Sequence, residues 1–502
     1  MIGYGQIGGF GRAVMARNHL RSKTGQGRYE SKARRVLIPE FRLLRINFLE
    51  THNDGNPKGL PDYEFSSAED SYLPNFPVLI QGHGEPWAIG NLYLTTKLQR
   101  EAGYESRTFR GIADHLLDYL RFLEDEGMDY MHFPKNDRLK VTYRYRQRLI
   151  DFVTAGLLSA STASARINAV VNFYRRIINW NLVSDANIEG VAFTEIKKYI
   201  SVTSNYGIPR NLMVNSHNLA IANTKKQSQA EYINDGGDLR PLTVSEQSYM
   251  LQALLESSRE YQLMFYFALF TGARVQTIGT LRIKHLLGGL DSNGYLRLPI
   301  GASTLVDTKN GKRMTLLVPG WVVQDMLVYC RSAEAKKRRA RSYYGDTEDN
   351  YVFLSKNGVP YYTSKKEILD RRDSRISVGA GMADRASEVS IQDGAALRTH
   401  IQQILLPRIH RGNPEFQYFT FHDLRATFGM NLLESQLQHM GDQSITAALE
   451  YVQQRMGHSN KETTMQYLSY KSRLQWKNSV QHEFETQLFR HVNTSANAGA
   501  TV

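Results

Sequence analysis

Apolar residues recur at helical spacing over Tyr93–Gly127 and Arg144–Leu182, where Leu116, Leu117, Leu120, Phe122 and Leu123 fall on one shared face. Thr162–Trp180 is an amphipathic helix that also carries Arg166, Arg175 and Arg176. These patterns predict a compact all-helical domain over residues 91–200. Residues 1–90 follow no such rule: they mix a Gly-rich start (Gly3–Gly11), a basic stretch (Arg28–Arg35) and a strand-like run, Val36–Phe48. Their role is undefined by pattern, and an extra DNA- or partner-binding module is one reading of them. Residues 201–239 are polar, rich in Asn and end in Asp235-Gly236-Gly237-Asp238, which predicts a linker or extended loop.

A second folded unit is expected over 240–485, followed by a flexible tail, 486–502. Thr243 and Glu246 have the spacing of a capping box ahead of an apolar-periodic helix. Another helix runs through Tyr261–Phe270 and stops at Gly272. Tyr295–Ile300 and Met314–Val318 read as strands, with Asn310-Gly311 as a two-residue hairpin turn that would set Lys309 opposite Lys312. Helices dominate from there to about Glu485, with the charge runs Lys336–Arg341 and Lys365–Arg375 in a less regular stretch. The expected class is mainly α with a small antiparallel β-sheet (α+β).

Composition narrows the function classes. At 502 residues the chain is long enough for about three domains and substantial cores. The densest apolar stretch, Gln262–Phe270, is far shorter than the ~18–20 residues a membrane span requires. Met1–Leu20 lacks the charged-then-apolar order of a signal peptide. A single cysteine, Cys330, rules out an intramolecular disulfide and a cysteine-built zinc cage, so a soluble, reducing compartment is expected. The net charge of +13 raises the prior for an anionic partner without identifying one.

Gly3-Tyr4-Gly5-Gln6-Ile7-Gly8 satisfies a dinucleotide-binding pattern, but only two residues precede it, leaving no room for the strand that motif needs. Cys330 falls on an apolar helix and reads as core; His83, His217 and His439 have no partner spacing. Four other stretches carry chemistry together. Thr271-Gly272-Ala273-Arg274 puts an arginine at a helix start in a tight corner, and Thr308-Lys309-Asn310-Gly311-Lys312 offers two lysines beside a turn. In His422-Asp423-Leu424-Arg425, residues three apart on a helix can point His422 and Arg425 at one anion. In Met456-Gly457-His458-Ser459, Gly457 ends a helix, and Ser459 with Glu462 reads as a capping box for the next, which carries Tyr467 about two turns in.

These stretches, in this order and spacing, resemble the tyrosine recombinase (phage integrase) family. The resemblance covers Arg240–Arg473 well and extends loosely to Asn91–Ile200, similar to that family's helical core-binding domain. It implies that Tyr467 is the nucleophile forming a 3′-phosphotyrosyl intermediate. Arg274 and Arg425 would clamp the phosphate oxygens, Lys309 would be the general acid for the leaving 5′-oxygen, and His422 and His458 would assist with protons and phosphate contact. Lys312 remains the alternative acid, and Tyr470, one turn beyond Tyr467, the alternative nucleophile. Thr277 stands where the family commonly carries an acidic residue three after the first arginine. The segment between Lys312 and His422 looks long for the family, which suggests an insertion.

The residue types suit the chemistry. Guanidinium forks match the equatorial charge that a phosphodiester gains in transesterification. A phenol with pKa near 10 must lose its proton as it attacks. Because side chains supply the cations and the phosphotyrosine conserves the bond energy, the resemblance implies no cofactor, metal or ATP. The implied partner is double-stranded DNA carrying specific recombination sites, gripped by a C-shaped clamp and bound as a homotetramer. Accessory proteins are left open, no membrane partner is expected, and the expected location is cytoplasmic, at a prokaryotic nucleoid. The main reading is integration or excision of a mobile element. The alternatives are a DNA-binding protein with this fold that exchanges no strands, and a nicking-closing enzyme like type IB topoisomerases. The amphipathic segment Leu474–Leu488 would dock on a neighbouring protomer or on its own domain.

Overall fold

The computed structural model describes residues 28–48, 63–67, 72–100, 104–183, 190–203, 209–222, 232–372, 391–440 and 445–473. The Gly3–Gly8 motif, Leu474–Leu488 and the 486–502 tail lie outside them. The chain divides into two compact units, Met1–Lys225 and Lys226–Val502.

The first unit opens with β1 (Arg34–Phe41), β2 (Leu44–Phe48), β3 (Tyr63–Ser67) and β4 (Leu73–Ile80). β1 pairs antiparallel with β4, Arg34 opposite Ile80, and β2 pairs with β3. Four helices follow: α1 (Ala88–Arg100), α2 (Ser106–Glu126), α3 (Val141–Thr154) and α4 (Ala160–Asn179). Phe76 and Leu79 of β4 are buried in one cluster with Leu116, Leu120, Val170 and Phe173 of the helices. β4 therefore shares the helices' core. Arg166, expected only as a basic member of an amphipathic helix, turns inward and pairs with buried Asp118 at 2.5 Å. Asp118 also accepts from the Tyr145 hydroxyl at 2.9 Å, so that charge is compensated where it is buried. The unit ends in an antiparallel ribbon of β5 (Glu195–Thr203) and β6 (Pro209–His217), much of it within the span expected as linker.

The second unit begins with a short antiparallel pair, β7 (Ile233–Asn234) and β8 (Asp238–Leu239). In α5 (Val244–Leu254), Thr243 and Glu246 form the expected capping box in both directions. The next helix, α6 (Arg259–Thr271), is central: Leu263, Met264, Phe265, Phe267 and Ala268 are fully buried. Each large side chain among them contributes roughly 1.5–3 kcal/mol by leaving water. Short α7 (Val275–Gly279) leads to the strand pair β9 (Tyr295–Ile300) and β10 (Met314–Pro319). These strands are nearly as predicted, but the turn is not. They stop at Ile300 and Met314, and left-handed Gly301, Ser303, Leu305 and Asn310 coil a long loop between them. Asn310-Gly311 is one bend in that loop and not the hairpin tip.

Beyond β10 come α8 (Gly320–Arg331), α9 (Ala333–Ala340), α10 (Lys365–Arg372), α11 (Ala395–His400) and α12 (Leu406–Gly412), the last two joined by a π-helical turn, Ile401–Leu405. The basic run on α9 is not simply solvated: Arg338 is buried and pairs with Glu260 at 2.8 Å, and Arg339 pairs with Asp346 at 2.7 Å. The unit closes with α13 (Asp423–Met440), α14 (Ile445–Met456) and a helix over 461–473, α15. α13 packs on α6 and α14, which brings the two sequence-distant halves of the site together. The fold is mainly α, and among the described residues all sheets are two-stranded antiparallel pairs. Among the described residues no helix is long and apolar enough to cross a membrane, and no His/Cys/Asp/Glu group could hold a metal ion.

Candidate active site

Arg274 owes its place to the corner before it. Gly272 ends α6 in the left-handed conformation, φ 66°, its N–H donating to the Ala268 carbonyl. A Cβ at Gly272 would lie 2.5 Å from the Phe428 ring, so the position excludes side chains on two grounds. Arg274 then stands at the N-cap of α7. Thr277, where an acidic residue was expected, is buried and donates its hydroxyl to the Asp307 carbonyl at 3.0 Å. Thr280 accepts from the Asp307 N–H at 2.9 Å, and these two hydroxyls fix the backbone just before Lys309.

His422 and Arg425 flank the start of α13. The buried Asp423 carboxylate accepts from Thr420 N and Oγ1 at 2.7 and 2.9 Å and from Arg240 N at 2.8 Å, fixing the turn that aims both side chains. Arg425 is almost completely buried. Its Nη1 donates to the Gly272 carbonyl at 2.8 Å and its Nη2 to the Met456 carbonyl at 2.7 Å. One guanidinium thus ties three motifs together.

At the end of α14, Gly457 turns left-handed, and the chain re-enters a helix at 461. The cap is Asn460, whose Oδ1 accepts from Glu462 N at 3.0 Å. Ser459, expected in that role, instead accepts from Lys312 Nζ at 2.8 Å, because Lys312 reaches across to this loop and also donates to the Gly457 carbonyl at 2.6 Å. Lys312 is therefore a strut of the His458 loop and does not face Lys309. His458 Nδ1 bonds Thr464 Oγ1 at 2.9 Å, which orients its Nε2 inward. Tyr467 on α15 is completely buried, and its ring packs so closely on α13 that a Cβ at Gly429 would lie 2.5 Å from its Cε1.

The inward-facing groups converge on Asp235, at the tip between β7 and β8. Its Oδ2 accepts from Arg425 Nε at 2.7 Å, His458 Nε2 at 3.1 Å and the Tyr467 hydroxyl at 3.2 Å. Its Oδ1 lies 3.2 Å from Arg274 Nη2, and its carbonyl 3.2 Å from His422 Nε2. Lys309 is exposed, yet its Nζ borders the same tip: a Cβ at Gly236 would lie 3.3 Å from it. All six residues named from the motifs surround one short loop. The hydroxyl that reaches the carboxylate is that of Tyr467.

Burial alone would raise the Asp235 carboxyl. The hydrogen bond from His458 and the charges of Arg425, His458 and Arg274 outweigh it and hold the group well below the usual carboxylate range. Tyr467 moves the other way, pushed far above the ordinary phenol by burial and then by the Asp235 charge, which the two arginines offset only in part. His422 is pushed down to about 4, first by burial and then by Arg274 and Arg425, so it is neutral at pH 7. The arrangement is an anion pocket with a phenol at its edge.

Such a pocket, on this mainly helical fold, is built to hold an oxyanion beside a phenol. Residues 240–473 match the model described as the phage integrase family, so this segment is a domain of the tyrosine recombinase type. No curated protein matches the chain. Among solved structures it is similar to the Tn1549 transposon integrase in complex with a circular intermediate DNA, 15% identical over 76% of this chain and 94% of that one, TM-score 0.39. It is also similar to a lambda integrase dimer bound to a COC′ core site, 14% identical over 76% and 94%, TM-score 0.40. A lambda integrase tetramer bound to a Holliday junction is 14% identical over 74% and 77%, TM-score 0.36.

Sequence reasoning missed Asp235 and Gly429. The first sits in an Asp-Gly-Gly turn that reads as loop punctuation, and nothing in its spacing ties it to residues about two hundred positions downstream. The second is a mid-helix glycine, where the cost of roughly 1 kcal/mol against alanine was the available signal of a close approach.

Proposed function

We propose that this protein is a site-specific recombinase that cuts and rejoins DNA through a 3′-phosphotyrosyl intermediate, serving integration or excision of a mobile element. The observation that carries the reading is the convergence of Arg274, Arg425, His458 and Tyr467 on a single oxyanion, with His422 and Lys309 at its margin. When that oxyanion is a scissile phosphate, the guanidinium groups stabilise the charge gained by the equatorial oxygens, and Tyr467 Oη attacks phosphorus as its proton is released to solvent and the bond to the 5′-oxygen breaks. Lys309, on its coiled loop, gives a proton to the leaving 5′-oxygen, while Lys312 holds the His458 loop in place. Unit 1 and the overall excess of 13 positive charges serve binding along the duplex backbone, at specific sites and in an assembly of four copies.

The test is a randomised pool of nicked suicide duplexes, from which a cleaved strand end diffuses away and traps the intermediate. The wild-type protein is expected to accumulate a covalent protein–DNA adduct that resists denaturation, and Tyr467→Phe is expected to form none. Absence of an adduct refutes the mechanism and leaves a DNA-binding protein, whereas an adduct that survives in Y467F refutes Tyr467 as the nucleophile and points to Tyr470. Supercoil relaxation with no exchange between two sites identifies a nicking-closing enzyme instead.

A further inference from the structure

The mechanism above needs an empty anion pocket, and in this structure the pocket is filled by the protein itself. We propose that the Asp235 tip is a built-in competitor of the scissile phosphate, which occupies the cationic pocket before DNA arrives and must withdraw before Tyr467 can attack. The inference rests on the phosphotyrosyl reading of the site.

Three features support it. First, the Asp235 carboxylate takes the donors a phosphate would require: Arg425 Nε, Arg274 Nη2 and His458 Nε2 all end on it, and so does the nucleophile's hydroxyl. A second anion placed beside it would face a like charge in a largely dry pocket and find these donors already engaged. Second, the tip is built as a separate small part. Two residues pair on each side, Ile233 with Leu239 and Asn234 with Asp238. Ile233 and Leu239 anchor it in the apolar cluster under α13 and α14. The tip itself is Asp235-Gly236-Gly237, with Gly236 at φ 77°, a conformation only glycine adopts cheaply. The backbone can therefore re-aim Asp235 without dislodging its anchors. Third, the hairpin reports on the nucleophile's helix, because Asn234 N donates to Gln466 Oε1 at 2.8 Å, one residue before Tyr467.

The competing assignment makes Asp235 the general base for Tyr467. Its surroundings argue against that: the carboxyl is held far into its ionised form by two arginines and a histidine, so it has little affinity for the phenol's proton. A base would also have to act while keeping both arginines from the phosphate.

If the plugged state dominates, only the unplugged fraction binds productively, and its removal raises apparent affinity and cleavage by the inverse of that fraction. With a minor state populated at about 1–10%, the gain is roughly 10–100-fold. The experiment compares wild type, Asp235→Ala and Asp235→Asn in rate of adduct formation on the suicide duplexes, and in thermal shift on titration with sodium sulfate, a tetrahedral oxyanion. Faster adduct formation in the variants by about tenfold or more, with a sulfate shift larger than in wild type, is the expected result. D235N keeps the size and one acceptor oxygen while removing the charge, and serves if D235A proves too unstable to handle. Slower adduct formation in D235N, with wild type active, makes Asp235 an assisting group and overturns the plug; so do equal rates, or equal sulfate shifts. If no protein forms an adduct, the phosphotyrosyl reading falls, and the sulfate titration alone decides whether Asp235 and an oxyanion compete.

Discussion

Arg425 Nη2 donates to the Met456 carbonyl at 2.7 Å, binding the start of one helix to the end of another 31 positions on. The same guanidinium holds the Gly272 carbonyl through Nη1, so its fork fixes the corner that presents Arg274 and the turn that presents His458. A lysine carries the charge but cannot make these bonds in three directions. Arg425→Lys is therefore expected to lower adduct formation by roughly 10²–10³-fold and to lower the melting temperature as well. Retention of wild-type cleavage in R425K, measured on the suicide duplexes, would show that the charge alone matters.

Gly429 and Tyr467 make a second prediction. A methyl group at Gly429 would sit 2.5 Å from Cε1 of the tyrosine ring and about 3 Å from the Met456 side chain. Alanine is the better helix former by about 1 kcal/mol, so by propensity alone Gly429→Ala should stabilise α13. The contact predicts the opposite: the ring must move, and a shift near 1 Å at a nucleophile costs on the order of 10²-fold in rate. G429A should bind duplex DNA as wild type does by gel shift and lose adduct formation. Unchanged cleavage would mean that the ring has room that the structure does not show.

The two lysines near β10 separate by role. Lys309 is exposed beside the Asp235 tip, whereas Lys312 Nζ is bound to the Gly457 carbonyl and Ser459 Oγ. Lys309→Ala should lower cleavage by roughly 10²–10⁴-fold, the usual contribution of a general acid. A substrate whose leaving oxygen is replaced by sulfur departs without a proton and should restore K309A to near wild-type rate. Lys312→Ala should lower cleavage by loosening the His458 loop, and the sulfur substrate should not rescue it. Rescue of K312A, and not of K309A, would exchange the assignments.

Local rules made much of this legible. The Thr243–Glu246 capping box, the left-handed stop at Gly272 and the spans of β9 and β10 depend on neighbours within a few residues, and the structure has each of them. The failures share one cause, which is partners brought from far along the chain. Asn310-Gly311 carries the signature of a hairpin turn, but register between β9 and β10 is set by the apolar faces of Leu296, Leu298, Leu316 and Val318, and that pairing leaves a long loop. Ser459 lost the capping role to Asn460 because Lys312 claims its hydroxyl from 147 positions away. The charge run Lys336–Arg341 gave no sign that Arg338 and Arg339 turn inward, because Glu260 and Asp346, which pair with them, lie outside any helical spacing rule or in an irregular segment. Asp235 belongs to the same category, since its significance exists only once the fold has closed around it.

The last prediction concerns pH. His285, His400 and His422 are each pushed down to about 4 from an ordinary 6.5, burial being the largest cause in every case. For His285 the bonding pattern agrees, because Nδ1 accepts from Arg282 N at 3.0 Å and so carries no proton, leaving Nε2 to donate to the Thr304 carbonyl at 3.0 Å. Well above pH 6.5 these histidines are neutral in both folded and unfolded chains and contribute no pH dependence. As pH falls from 6.5 toward 4, the unfolded chain takes up protons that the folded chain refuses, so stability falls across that window and levels off below it. Buried Asp307 and Asp423, whose carboxyls burial raises, act in the opposite sense at the acid end, so the comparison must be between variants. Melting temperatures of wild type and His285→Gln between pH 7.5 and 4 supply it. The wild-type curve should fall more steeply below pH 6.5 than that of H285Q, and parallel curves would mean that His285 takes up its proton without unfolding.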